Sequence, residues 1–301
     1  MRLVFVATGE IAIPSFQHLL ENGPRPLALV TQPDKPVGRH QTLTPPAIKT
    51  LAVEAGIPVF QPEVIGDAIE ELAALEPEVI VVMAYGQILR NNVLKLPKLA
   101  IINLHASLLP KYRGAACIQA AIDAGETETG ITAMHVVRKL DAGDIICMES
   151  IPIGSNETGG ELHDRLAALA PSVMATALQQ LADGPATRTP QDESKVSYIS
   201  KLERDDGAID WARGALAVER RIRAYDPWPG SFFNIAEGGK TRRMKVFPPA
   251  ILLDEPIPAG EVVIRDGRLI VGCGDGALEL ECVQPEGSRR MSGGDYARGR
   301  K

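Results

Sequence analysis

The chain is poor in the features that mark several protein classes. It has four cysteines, Cys117, Cys147, Cys273 and Cys282, with no Cys-x-x-Cys and no Cys/His ligand spacing. That pattern argues against a zinc site and a secreted disulfide framework, and points to a reducing cytoplasm. No stretch approaches the roughly 20 apolar residues that a membrane-spanning helix needs. The opening MRLVFVATGEIAIPS has only a short apolar run and lacks the basic, apolar and small-residue order of a signal peptide. No Gly-x-Gly-x-x-Gly follows the first strand pattern, and no P-loop motif occurs, so neither an NAD site nor a P-loop has its usual support. Internal repeats and low-complexity tracts are absent.

What is present is an ordinary globular composition, 301 residues with 45% hydrophobic, enough for two domains. The net charge of −6 does not by itself suggest a nucleic-acid binder. Its distribution says more. From Gly207 to Lys301 there are 15 Lys/Arg and 13 Asp/Glu, against 17 and 25 in the remainder. An acidic front and a mildly basic tail hint at two domains with different partners.

Strand and helix signals alternate through the first two hundred residues. Leu3–Val6, Leu27–Thr31, Val79–Met83 and Ile101–Ala106 read as strands. Pro14–Leu20 and Ala47–Glu54 read as helices. This alternation predicts an α/β fold, a Rossmann-like domain with a mostly parallel sheet and helices on both faces. Ligands of such sheets sit beyond the carboxyl ends of the strands. Polar residues without periodicity mark a linker, placed at 189–206, between a domain of residues 1–188 and another of residues 207–301. In the latter, Ile209–Tyr225 reads as one helix, followed by short β-like runs that predict a small barrel or sandwich.

Two stretches carry candidate chemistry. In IINLHAS, Ile101, Asn103, His105 and Ser107 share one side of a strand, because strand side chains alternate. An amide donor and an imidazole thus project together where the strand ends. The imidazole can relay a proton, and the amide can donate to developing negative charge. An isolated Asn-x-His is common and usually carries no chemistry. The turn LDAGDI offers a carboxylate to orient the histidine, either Asp141 or Asp144. The second stretch is the long connection QPDKPVGRHQTLTPPAIK, with Lys35, Arg39 and His40, which reads as a functional loop or as solvated surface.

INLHASLLPKYRGAACIQAAIDAGETETGIT followed by LDAGDI resembles the formyltransferase family that uses 10-formyltetrahydrofolate. The segments VTQPDKPVGR, VIVVMAYGQIL, RAYDPWPGSFF and the tail GDGALELECVQPEGSRRMSGGDYARGR extend the likeness over nearly the whole chain. The last two resemble the branch of that family that acts on an aminoacyl-tRNA. Two departures stand out: ATGEIAIPS at the first turn, where Gly-Thr-Pro is more usual, and Cys117 in place of a proline.

The resemblance implies transfer of a formyl group from the folate to an amine, without a metal. Asn103 and His105 are then expected to stabilise an oxyanion and move protons. Asp141 is expected to orient His105 and favour its charged form. Gln87, Ile88 and Leu89 are expected to hold the pterin through backbone groups, with Ser107, Leu108, Leu109 and Pro110 as the other wall. Lys35 and Arg39 are expected to meet the tRNA acceptor arm. The C-terminal domain is expected to be an OB-like barrel, with basic residues drawn from Arg220, Arg221, Arg223, Arg242, Arg243, Lys245, Arg289 and Arg290 tracking RNA, Arg243 and Lys245 foremost. A monomer in the cytoplasm, without a membrane, completes the expectation. Related enzymes formylate an amino sugar or a purine-pathway amine. Outside catalysis, the competing reading is an RNA-binding module on an inert α/β scaffold.

Overall fold

A computed structural model describes every residue except Arg39, Gly238, Arg300 and Lys301. Its chain divides into two units. One holds Met1–Ala115, Thr129–Ile151 and His163–Ile199; the other holds Ala116–Glu128, Pro152–Leu162 and Ser200–Lys301. The polar stretch 189–206 is therefore shared between them, changing unit after Ile199.

The chain begins with β1 (Leu3–Ala7), α1 (Ile13–Glu21), β2 (Ala28–Val30), a hairpin of β3 (Lys35–Val37) and β4 (Thr42–Thr44), and α2 (Ala47–Glu54). There follow β5 (Val59–Phe60), α3 (Ile69–Ala74), β6 (Val79–Met83), α4 (Asn91–Leu94), β7 (Ala100–His105) and β8 (Arg113–Gly114). After α5 (Cys117–Ala124) come β9 (Glu128–His135), β10 (Ile145–Pro152), α6 (Gly159–Asp183) and β11 (Tyr198–Ile199).

The first unit is built on a seven-stranded sheet in the order β10-β9-β7-β6-β1-β2-β5. Neighbours from β5 across to β7 are parallel, and β9 joins β7 antiparallel. This is the mostly parallel α/β sheet that the alternating pattern predicts. The chain lays β2 and β5 on one side of β1, then returns to place β6 and β7 on the other. The reversal opens a crevice at the carboxyl ends of β1 and β6.

Strands β1 and β6 are buried at every position, which their continuous apolar runs LVFVA and VIVVM require. One face packs Val4, Val6, Ile80 and Val82 against Ile65, Leu72 and Val93. On the other, Phe5 meets Phe16 of α1 with ring centroids 5.4 Å apart. Helix α1 starts with Pro14 in its first turn, where no intrahelical N–H is needed, and buries Phe16 and Leu19. Phe16→Ala would cost about 3–5 kcal/mol, the transfer term plus the cavity.

In the second unit, α7 (Ala215–Ala224) precedes β12 (Ser231–Glu237), β13 (Lys240–Leu253), β14 (Val262–Arg265), β15 (Arg268–Gly272), β16 (Ala277–Pro285), β17 (Met291–Ser292) and α8 (Gly293–Arg298). The strands pair antiparallel in the order β12-β13-β16-β15-β14, with β17 beside β16. The OB-like element takes the form of a curled half-barrel. The register of the long β13 shifts between Phe247 and Ala250, at Pro248–Pro249, where backbone donors are missing. Its core gathers Val218 and Ile222 of α7, Trp211, Phe233, Met244, Leu278 and Leu280.

The single helix expected over Ile209–Tyr225 is shorter. Ile209 N–H donates to Phe232 O at 2.8 Å, and Asp210 Oδ1 accepts from Ala212 N at 3.1 Å, a turn that breaks the helix pattern. The helix begins only at Ala215, whose N–H finds Asp275 Oδ1 at 2.6 Å.

Candidate active site

Strand β7 delivers its polar residues to the crevice. Asn103 stands opposite Val82 on one neighbour and Met134 on the other, half-buried. Its side-chain amide makes no hydrogen bond among the described residues. Two residues on, the His105 Nε2 lies 2.9 Å from Tyr112 O. A carbonyl only accepts, so Nε2 carries a hydrogen and donates it. Nδ1 then faces the Asp141 carboxylate, 3.7 Å from Oδ2. That distance suits an ion pair and is too long for a hydrogen bond. The two side chains are 7% and 13% exposed, so their interaction is little screened by water.

Of the two carboxylates in LDAGDI, Asp141 is the one brought to His105. Asp144 instead pairs with Arg188 at 3.5 Å. Asp141 Oδ2 accepts the N–H of Gly114 at 2.8 Å. Gly114 sits at φ +116°, and a Cβ there would collide with the Ile199 carbonyl across the β8–β11 pair, so only glycine fits. Asp141 itself has φ +49°, an uncommon left-handed conformation for a residue with a side chain.

The SLLP exit is fastened by Thr132. Its hydroxyl donates to Ser107 O at 2.7 Å and accepts from Leu109 N at 3.2 Å. Ser107 and Leu109 are buried, with the Ser107 hydroxyl donating to Lys111 O at 2.8 Å. Leu108 and Pro110 are the partly exposed members.

Among the residues expected to hold a pterin, Gln87 spends its side chain on the neighbouring loop. It accepts from Ile65 N and donates to Glu63 O, both at 3.0 Å. Leu89 is buried in the sheet core, whereas Ile88 is 78% exposed. A cleft of ≈ 570 Å³ adjoins this loop, lined by Ile88, Gln87, Arg90, Lys35, Asp34 and Glu63 among others. Lys35 therefore stands at a cleft as well as on the β3–β4 hairpin, where it is exposed. Arg39, the other basic residue expected to meet tRNA, lies outside the described residues.

The C-terminal basic residues divide sharply. Arg223 is buried, its Nη1 donating to Glu157 O at 2.8 Å. Arg221 pairs with Asp123 at 3.1 Å and stacks on Tyr225. Arg220 packs over Gly125. These three are parts of the second unit's own framework. Arg243, Lys245, Arg242 and Arg289 are exposed. Arg243 lies over the Phe232 ring at 3.9 Å, and Arg290 over Phe247 at 3.8 Å. Strand alternation puts Arg243, Lys245 and Phe247 on one face of β13, a basic and aromatic stripe.

A group the sequence reading did not single out surrounds the pair. Arg113 is fully buried. It donates to Gln191 Oε1 from Nε at 3.0 Å and Nη2 at 2.8 Å, to Glu193 Oε1 at 2.9 Å, and to the Tyr198 hydroxyl at 3.1 Å. Burial works against the Arg113 charge, but the hydrogen bonds it donates to Glu193 and Tyr198 outweigh it, and its pKa is raised. Lys139, 2.6 Å from Glu193 Oε2, holds that carboxylate below its ordinary range, with Arg113 adding to the effect. The only local hint was an arginine inside a strand exit; Gln191 and Glu193 sit in a polar stretch with no pattern to mark them.

A histidine and carboxylate beyond a parallel strand, with a free amide donor beside them, make the layout of an α/β enzyme for acyl-type transfer. Residues 1–178 match the family model "Formyl transferase", and residues 201–301 match "Formyl transferase, C-terminal domain". The chain belongs to the formyl transferase family. It is 52% identical over 297 residues to a methionyl-tRNA formyltransferase of Akkermansia muciniphila, covering 97% of this chain and 94% of the relative. A methionyl-tRNA formyltransferase of Methylococcus capsulatus is 43% identical over 299 residues, covering 98% and 96%. The solved N-formyltransferase of Helicobacter canadensis, in complex with folinic acid and dTDP-3-aminofucose, shares the fold with a TM-score of 0.70 at 19% identity, covering 97% of this chain and 100% of that one. No helix among the described residues is long and apolar enough to cross a membrane.

Proposed function

We propose that this chain transfers the formyl group of 10-formyltetrahydrofolate to the α-amine of initiator methionyl-tRNA, giving N-formylmethionyl-tRNA for translation initiation. The observation that carries the reading is the His105–Asp141 pair with Asn103 beside it, at the carboxyl end of β7. Both family domains and full-length likeness to relatives named for this reaction support the substrate. The reading implies a monomeric enzyme working in the cytoplasm.

The folate supplies an activated formyl carbon. The crevice suits such a ligand: Ile88 offers an exposed apolar surface, and Lys35 and Arg90 offer cations for carboxylates along the same cleft. Gln87–Leu89 and Ser107–Pro110 are its proposed walls, with backbone groups of the first and the Leu108 and Pro110 side chains of the second available to it.

In the reaction a bond forms between the amine nitrogen and the formyl carbon, and the bond from that carbon to the folate nitrogen breaks. A proton leaves the attacking amine and another reaches the departing nitrogen. An α-amine has pKa roughly 7.7–8.0, so a useful neutral fraction exists near neutrality. The Asn103 amide is the donor for negative charge on the formyl oxygen, since it is committed to nothing else described. His105 carries the proton. With Nε2 engaged by Tyr112 O, Nδ1 is the nitrogen that exchanges it, and Asp141 steadies the charge it acquires.

Lys35 of the β3–β4 hairpin, Arg39 by its place in the sequence, and the β13 stripe of Arg243 and Lys245 are the proposed tRNA contacts. Cations over aromatic rings suit a phosphate backbone with unpaired bases nearby. The test is formyl transfer by the purified chain to methionyl-tRNA, free methionine and amino sugars. Transfer to methionyl-tRNA alone supports the reading; transfer to a sugar amine instead sinks it.

A further inference from the structure

Gln191 lies between the two regions matched by family models, 1–178 and 201–301, in a polar stretch that reads as a linker. Yet its side chain reaches the candidate site. Nε2 donates to Asp141 O and to Gly143 O, both at 2.8 Å. Oε1 accepts two hydrogen bonds from the buried Arg113. The amide has one workable orientation. A guanidinium only donates and carbonyls only accept, so a flipped amide would set donors against donors and acceptors against acceptors.

These contacts meet at both sides of the His105–Asp141 pair. On one side, the residues flanking Arg113 hold the pair directly: Tyr112 O accepts from His105, and Gly114 N donates to Asp141. On the other side, Gln191 ties the turn that carries Asp141, whose backbone is left-handed and needs outside support. That turn cannot simply relax toward the sheet, because Gly143 already packs on the His135 carbonyl so closely that a Cβ would collide.

We infer that Gln191 is a positioning residue for the transfer: through Asp141 O and Gly143 O it sets the Asp141 carboxylate against Gly114 and His105. The inference rests on the proposed roles of His105 and Asp141. It gives the stretch around Gln191 a part in positioning the site rather than a connecting role alone. Nothing reactive is asked of Gln191 itself; it never meets substrate, and its effect passes through Asp141.

Full-length wild type, Gln191→Leu and Gln191→Glu separate the possibilities. The leucine variant loses every hydrogen bond. Glutamate keeps the acceptors for Arg113 and loses the donors to the turn. Both are expected to lower kcat with methionyl-tRNA by on the order of 10²-fold, the scale of a small misplacement. KM for tRNA and folate should stay unchanged, and the folded fraction by circular dichroism should match wild type. The Gly114 amide resonance should move in both variants. In an Asp141→Asn background, adding Gln191→Leu should cost far less than it does alone, because the two act as one unit. Unchanged kcat in either variant overturns the inference. So does a loss that tracks unfolding while the Gly114 resonance stays in place, or full additivity with Asp141→Asn. A wild type that formylates no amine overturns the functional reading on its own account, whatever the Gly114 resonance shows.

Discussion

His105 and Asp141 face each other without a hydrogen bond: Nδ1 and Oδ2 are 3.7 Å apart, and Oδ2 is already engaged by Gly114 N at 2.8 Å. The carboxylate therefore acts on the imidazole through its charge and leaves Nδ1 able to exchange a proton. His105→Ala should lower single-turnover transfer by about 10²–10⁴-fold, the range for losing a positioned acid–base group. tRNA binding should persist. Asn103→Ala should cost about 10²–10³ in kcat, as loss of one oxyanion donor does, with KM little changed. Parallel loss of binding in these variants would make both residues structural.

The sheet, its direction and the face carrying Asn103 and His105 were legible because apolar periodicity is local. Val79–Met83 is a strand by its own residues, and β7 shows its polar turn within six letters. The choice of Asp141 over Asp144 was not legible in spacing and came only with the family resemblance. Both lie in one turn, and what separates them is three-dimensional: the left-handed backbone at Asp141, its approach to His105, and the Arg188 partner of Asp144. The basic residues of α7 were misleading for the same reason. Arg221 and Arg223 look like solvent-facing charge in the sequence, but Asp123 and Glu157, far away in the chain, take them into the fold. Gln191 carries no pattern at all; its importance exists only once Arg113 and the Asp141 turn are beside it.

The β3–β4 hairpin is fixed at its base by an ion pair. Lys49 Nζ stands 2.8 Å from both oxygens of Asp34, and Gln61 Nε2 donates to the same carboxylate at 2.7 Å. The Gln61 hydrogen bond, then Lys49, holds the Asp34 carboxyl below its ordinary 3.8. A depressed carboxylate stabilises the fold above its unfolded value, and that contribution is lost as pH falls through the folded value. Lys49→Met should therefore flatten the acid limb of stability below 3.8 in urea titrations. It should also raise KM for methionyl-tRNA more than KM for folate, because the freed hairpin loses its aim. Equal effects on both substrates would remove the hairpin from tRNA recognition.

His135 gives a second pH signature at the opposite end of the sheet. It is buried, with Nε2 donating to Thr187 O at 3.3 Å. Burial, reinforced by Arg188, depresses its pKa from 6.5. The unfolded chain then binds a proton more readily than the fold does. The native advantage is complete above 6.5 and is lost as pH drops from 6.5 through the folded value. His135→Gln keeps a neutral donor and should remove this slope, so the two proteins should run parallel above 6.5 and diverge as pH falls below it, the wild type losing stability that the variant keeps. Urea midpoints across that window measure it; parallel curves would show that His135 does not titrate there.

The β13 stripe makes the tRNA reading quantitative. Arg243, over Phe232, and Lys245 share its outward face and are exposed. Each phosphate contact releases counterions, so removing one should lower the slope of log affinity against log salt by ~1. Arg243→Ala and Lys245→Ala should each do this, and the double variant should do it twice, with transfer to methionyl-tRNA at saturation unaffected. Arg223→Ala is the contrast. That side chain is buried against Glu157 and Glu219, so its loss should lower the thermal midpoint and leave the salt slope as it is. A salt slope unchanged in the double variant would place the tRNA backbone on some other surface of the chain.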